Sequence, residues 1–297
     1  MKSQKIARKP SVSLIILCVV LALYTIIFFI PIFWAVFTAF KEYKLYGGAV
    51  HRKNVKYLLG LNHLTFQNII TALTEFKMPY TEEPFYEMLG NSLLYAGGCA
   101  LVSTMVPCVI AYLVARYNFF LGKIVSMIVL ITMAVPIIGA LPSEIKMVDN
   151  IGLLDSVFGL YVLKANFLGI YFLVFYAQFK GIPKDYTEAA EIDGASEWYI
   201  MGGIIFPIAI GTITTVMLLT FISYWNDYQT PMVYWKSHPV LAYGLLRFVK
   251  VGSGGKGLGT IPVKLATMLV VAFPIIVLFG IFNKKIMANM SIGGIKG

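Results

Sequence analysis

Six long stretches of this chain carry no charge or almost none, and they leave it few architectures. Ser11–Phe40, Met88–Ala115, Ile124–Ser143, Trp198–Asn226 and Leu265–Asn283 are uncharged, and Ser156–Phe179 is interrupted only by Lys164. At about 1.5 Å per helical residue each can cross roughly 30 Å of hydrocarbon. No water is available there to satisfy backbone N–H and C=O groups, so each crossing must be a helix. Hydrophobic residues make up 59% of the chain and charged ones 13%, against roughly 45–50% and about 25% in soluble domains. Too few polar residues remain to cover a water-soluble core. The expectation is an all-α integral membrane protein with six transmembrane helices.

The segments follow from those runs. A tail, 1–10, precedes the first span, 11–40. A long loop, 41–87, leads to spans at 88–115 and 124–143. The fourth span is 156–179, and a loop at 183–206 connects it to the fifth, 207–228. A segment at 229–264, a last span at 265–283 and a tail at 284–297 complete the chain. Lys2, Lys5, Arg8 and Lys9 ahead of the first run would suit a signal peptide, but its apolar part far exceeds the 7–15 residues of a cleavable one. It is read as a retained span. A raw tally of Lys and Arg does not decide orientation, because two long loops hold many of them and long loops cross largely regardless of charge. The four basic residues before the first span place the N-terminus in the cytoplasm. An even number of spans returns the C-terminus there and makes the 183–206 loop cytoplasmic.

The formal net charge of +10 comes from residues scattered over loops, which argues against nucleic acid as a partner. Cys18, Cys99 and Cys108 all lie inside apolar runs and read as small fillers. Neither they nor His51, His63 and His238 form a metal-ligand spacing.

The loop between the fourth and fifth runs is the exception to this apolar chain. "DYTEAAEIDGASEWYIMGGIIFP", Asp185–Pro207, holds five of the fourteen carboxylates: Asp185, Glu188, Glu191, Asp193 and Glu197. Pro183 suits a first helical turn, and Asp185 and Glu188 then lie where the helix dipole favours negative charge. Tyr186, Ala189, Ala190 and Asp193 share one helical face, and the two alanines allow close approach of another surface. Gly194 stops the helix. Ser196 can cap a second helix running into the fifth span. The pattern predicts a helix, a glycine turn and a second helix, protruding as a compact knob.

Here the sequence resembles the permease subunits of binding-protein-dependent ABC importers. Their coupling motif is Glu-Ala-Ala, three residues, Gly, nine residues, then Ile-x-Leu-Pro. Glu188, Ala189 and Ala190 are followed at that spacing by Gly194, and then by Ile204, Ile205, Phe206 and Pro207. Phe206 stands where Leu is usual, which keeps an apolar anchor. "NSLLYA" at Asn91–Ala96, "SYWNDYQTP" at Ser223–Pro231 and the tail "MSIGGIKG" at Met290–Gly297 are similar to the carbohydrate-uptake branch, and to its maltose-permease-like smaller subunit. The resemblance covers nearly the whole chain.

That resemblance implies a type I importer permease fold with a core at about 88–284, in the cell membrane of a prokaryote. It implies a second homologous permease subunit, two ATPase subunits and an extracellular sugar-binding protein, with ATP and Mg bound by the ATPases and no cofactor in this chain. Glu188, Ala189, Ala190, Gly194, Ile204 and Pro207 would couple to an ATPase cleft. Gly293, Gly294, Lys296 and Gly297 would give the tail an ATPase contact. The cargo would be a sugar or oligosaccharide, with a polyol or glycerol phosphate as alternatives.

The residues themselves supply no engine. "GSGGKG", Gly252–Gly257, lacks the Ser or Thr a phosphate-binding loop needs after its Lys, so this chain is read as no enzyme. A self-contained secondary transporter would need midplane ions and inverted repeats, which the runs do not show. Lys164 is read as snorkelling to an interface. Pro107, Pro136 and Pro274 are candidate bend points. For a substrate path, Tyr171, Tyr176, Thr220, Ser223, Tyr224 and Asn226 have the right chemistry for a sugar, and interhelical hydrogen bonding explains them equally well.

Overall fold

The computed structural model describes residues 12–42, 64–79, 81–135, 139–251 and 258–290. Pro136, the glycine loop Gly252–Gly257 and the tail residues Gly293, Gly294, Lys296 and Gly297 lie outside the described residues. The chain divides into two units, Met1–Phe76 with Ser253–Val270, and Lys77–Gly252 with Val271–Gly297.

The first unit contains α1 (Val12–Ala39) and α2 (Gln67–Glu75). From Val12 to Phe33 every α1 side chain is exposed, although the helix is almost wholly apolar. Such a surface belongs in lipid, not water. The end of α1 is held by α2, where the buried Asn68 side chain donates to the carbonyls of Ala39 at 2.7 Å and Lys41 at 2.6 Å. The Ala39 carbonyl belongs to a helix end, where the last carbonyls have no partner within the helix.

The second unit is built round α3 (Phe85–Arg116), a helix of 32 residues. Its buried positions are mostly small: Ser92, Ala96, Cys99, Ala100, Thr104, Cys108 and Ala111. Lipid tails are as apolar as leucine, so helices in a bilayer associate by close packing instead, and small side chains permit it. At one end Cys108, Ala111 and Tyr112 pack with Phe172, Phe175, Phe179, Ile205 and Ala209. At the other, Tyr95 and Cys99 pack with Val148, Leu160, Tyr234 and Trp235.

Four further helices follow α3: α4 (Phe120–Ala134), α5 (Leu141–Asn150), α6 (Val157–Lys164) and α7 (Ile170–Gly181). The helix in the 124–143 run thus stops at Ala134. Val135 is extended (φ −101°, ψ 112°), as a residue before proline is driven to be. The 156–179 run, read as one span, is two helices. Ala165–Gly169 breaks it, with Gly169 at φ +133°, a conformation that a side chain would oppose. Non-helical backbone at membrane depth is tolerated where it is buried in protein or lines a cavity.

Next come α8 (Asp185–Ile192), α9 (Glu197–Asn226), α10 (Gln229–Tyr234), α11 (Leu241–Val251) and α12 (Ile261–Met290). Within α9, Ile200–Ile205 widens to π-helix, and the Phe206 N–H reaches back to the Met201 carbonyl. The bulge abuts Pro207, whose missing N–H and ring disrupt the regular ladder. Among the described residues four helices are long and apolar enough to cross a membrane: α1, α3, α9 and Ile261–Phe282 of α12. The 15-residue α4 is apolar but shorter.

Candidate functional site

The acidic loop folds as a helical elbow. Helix α8 ends in two reverse bonds: the Ala195 N–H to the Ala190 carbonyl at 2.9 Å, and the Gly194 N–H to the Glu191 carbonyl at 3.0 Å. With Gly194 at φ +77°, this is a Schellman stop, and it explains why glycine ends the motif. Ser196 then caps α9, its hydroxyl accepting the Tyr199 N–H at 3.4 Å. Pro183 lies two residues before the first helical residue, not inside the first turn.

The two alanines differ in role. Ala190 is buried and belongs to the core that includes Phe179 and Ile205, whereas Ala189 is exposed. Close approach at Ala190 is therefore to this chain's own core. Ile182 and Ile200 bury on either side of the elbow. Ile204 is half-buried and Pro207 exposed. Phe206 stacks on Phe179 at 6.0 Å and meets Tyr112 edge-on at 6.1 Å, so the apolar anchor is filled. Tyr117, just past α3, donates its hydroxyl to Glu197. Burial and that bond push the Tyr117 phenol well above its usual range, so it stays a donor at neutral pH.

The outer face of the elbow combines acid with bare apolar surface. Glu188, Asp185, Glu191 and Asp193 are exposed. Ile192 is 86% exposed and Trp198 79%, with Tyr186 and Tyr199 more than half exposed. Large apolar side chains this open on a surface mark a contact with a protein or a membrane.

A second feature lies midway along α3. A cavity of about 180 Å³ is lined by Ser103, Pro107, Lys164, Tyr171 and Tyr224 among others, with Asn166–Gly169 supplying its wall. The break between α6 and α7 is that wall. The Ser103 and Tyr224 hydroxyls are 2.7 Å apart, and the Ser103 hydroxyl donates to the Lys164 carbonyl at 3.1 Å. Two of the six path candidates, Tyr171 and Tyr224, line the cavity. The others do not. Tyr176 stacks on Phe172 and lies under Lys180. Thr220 is buried, within 3.2 Å of Thr104, and binds carbonyls of its own helix. Ser223 and Asn226 are exposed, and the Asn226 amide donates to the Ile222 carbonyl. Ser103, Asn166 and Lys164 were missed as lining residues. The signal for Lys164 is its position as the one charge in an apolar run.

A family model described as binding-protein-dependent transport system inner membrane component matches residues 108–288, well over half of the chain. The chain belongs to that family. The match takes in the elbow and much of the cavity wall. Among the relatives of this inner membrane component is a diacetylchitobiose uptake permease of Streptomyces coelicolor, 23% identical over 92% of this chain and 86% of its own. Another is a trehalose/maltose transport permease of Thermococcus litoralis, 25% identical over 98% of this chain and 99% of its own. A solved bacterial ABC transporter involved in import of the acidic polysaccharide alginate contains a chain of the same fold. It aligns at TM-score 0.75 and 21% identity, over 94% of this chain and 99% of that one.

Proposed function

We propose that this inner membrane component is the permease subunit of an ATP-driven importer of a sugar or oligosaccharide, and that the elbow is its coupling device. In this reading the chain crosses the membrane six times with both termini in the cytoplasm. It pairs with a second, homologous permease subunit. Two ATPase subunits bind ATP and Mg, and an extracellular binding protein delivers the cargo.

The observation that carries the reading is the elbow's construction. Its inner face is locked into the aromatic core at the end of α3 by Ala190, Ile200, Ile205 and Phe206. Its outer face offers Glu188 with Ile192 and Trp198. A partner that grips the outer face therefore moves α3, α7 and α9 together, since the packed core transmits displacement without absorbing it. The continuous path from elbow into α9, through a π-bulge beside Pro207, gives the motion a bend point. The cargo assignment rests on the sugar-uptake relatives and on a cavity of hydroxyls and aromatic faces, the chemistry a sugar needs.

The test is reconstitution with the partner subunits. ATP hydrolysis should rise with loaded binding protein, and Glu188→Lys should separate hydrolysis from uptake or block assembly. Wild-type uptake by that variant, or solute movement without the ATPases, would sink the reading.

A further inference from the structure

The charge inside the cavity is not explained by a neutral cargo. Lys164 sits in the lining with no acidic residue beside it there. Its ammonium lies 3.5 Å from the Thr230 hydroxyl and 5.8 Å from the centroid of the Tyr224 ring, both uncharged. The neighbouring acid, Asp227, accepts its hydrogen bonds from other groups. One of its oxygens takes the Tyr95 hydroxyl at 2.7 Å, and the other takes the backbone N–H groups of Gln229 at 2.9 Å and Thr230 at 3.1 Å. A lysine has three donors, and one long bond leaves most of that capacity open.

The ammonium turns to Tyr224, which lines the cavity, and to Thr230, just past the end of the fifth apolar run. A lysine with open donors facing a polar cavity can make a charge-assisted hydrogen bond to an arriving anion. The lining adds the rest of a recognition set. Asn166 and Tyr171 add an amide and a phenol to the lining, the Ser103 and Tyr224 hydroxyls can accept from solute hydroxyls, and Pro107 has no N–H to give the Ser103 carbonyl one turn back. At about 180 Å³ the space is below the roughly 300–1,000 Å³ of a pocket for a whole drug-sized ligand. It suits one end of a solute.

We propose that this cavity receives the anionic group, carboxylate or phosphate, of a polyhydroxylated solute, with Lys164 as its counter-ion during passage. The proposal rests on the importer reading above and narrows its cargo from sugars in general to acidic ones. A uronate and a sugar or polyol phosphate present the same chemistry to Lys164.

The experiment uses the assembled transporter with its binding protein in proteoliposomes and two pairs of labelled probes. One pair is digalacturonate and its neutral digalactose counterpart, and the other is glycerol 3-phosphate and glycerol. Wild type should take up one charged probe in preference to its neutral partner, and which pair responds identifies the source of the anion. Lys164→Gln should cut charged uptake by roughly tenfold or more, the scale of one lost charge-assisted hydrogen bond, while Lys164→Arg retains most of it. Uptake of the neutral partner should fall by much less than that of the charged probe in Lys164→Gln. Preference for neutral probes in wild type, or equal loss of charged and neutral uptake in both variants, overturns the proposal and leaves the importer reading standing. No ATP-dependent uptake of any probe, with hydrolysis unresponsive to the binding protein, removes both.

Discussion

Gly194 offers a test in which backbone strain is isolated from packing. It sits at φ +77°, and a Cβ built on it meets nothing within 4 Å. A substitution there changes conformational energy and little else. For an ordinary L-residue the left-handed region costs about 1–2 kcal/mol, while asparagine enters it more easily. A β-branched residue in that region is an outlier. The series Gly194→Asn, Gly194→Ala, Gly194→Val should therefore rank in that order. The Schellman bonds at Gly194 and Ala195 are what the strain opposes. One to two kcal/mol is a factor of about 5–30 in the open-to-closed ratio. Amide hydrogen exchange in the peptide spanning Asp185–Ile200 should rise by roughly that factor for Gly194→Ala and by clearly less for Gly194→Asn. Coupled uptake per ATP should fall in the same order. Unchanged exchange in Gly194→Ala, or equal disruption by Asn and Ala, would refute the argument that the motif's glycine is there for its backbone angle.

Other perturbations separate packing from passage. Gly159→Ala would place a Cβ 2.0 Å from the Leu153 carbonyl oxygen, a backbone atom that cannot swing aside, so assembly yield and thermal stability should drop by the 1–3 kcal/mol or more of an overpacked core. Thr220→Val removes a buried hydroxyl near Thr104 and should change stability by only about 0.6 kcal/mol, the average for such bonds in membranes, with uptake unaltered. Asp155 tests pH. Its burial opposes ionisation, but bonds from the Ser237 hydroxyl and N–H hold its carboxyl below the usual range. A depressed carboxylate stabilises above its unfolded pKa of about 3.9 and loses that contribution as pH falls through its lower folded value. Thermal stability measured from pH 6 down to pH 3 should show that loss at the acid end, and Asp155→Asn should flatten it.

What the sequence revealed and what it hid divide along a physical line. The long uncharged runs were legible because hydrocarbon imposes length and apolarity on any crossing helix, whatever its neighbours. The helix–glycine–helix elbow was legible because its causes are local: Gly194 needs its own φ, and Ser196 caps a bond three residues away. Hydropathy could not show that the 156–179 run is broken, because Ala165–Gly169 is as permissible in lipid-facing helix as in a cavity wall until one knows that α3 lies beside it with Ser103 and Pro107. The same blindness spread the substrate-path candidates over six residues. Tyr171, Tyr224 and Thr220 have similar polarity, and only packing decides that the first two face the cavity while Thr220 is spent against Thr104. Adjacent alanines look alike in the sequence for the same reason. One helical step of about 100° turns Ala190 into the core and leaves Ala189 outside, and that phase is fixed by Phe179 and Ile205, residues distant in sequence. Lys164 is the sharpest case. Its charge marks it in the sequence, but where its side chain turns is set by Tyr224 and Thr230, which lie far along the chain. Three hydrogen bonds, from Tyr95, Gln229 and Thr230, reach the Asp227 carboxylate, while the Lys164 ammonium, 3.5 Å from the Thr230 hydroxyl, keeps donors open at the cavity.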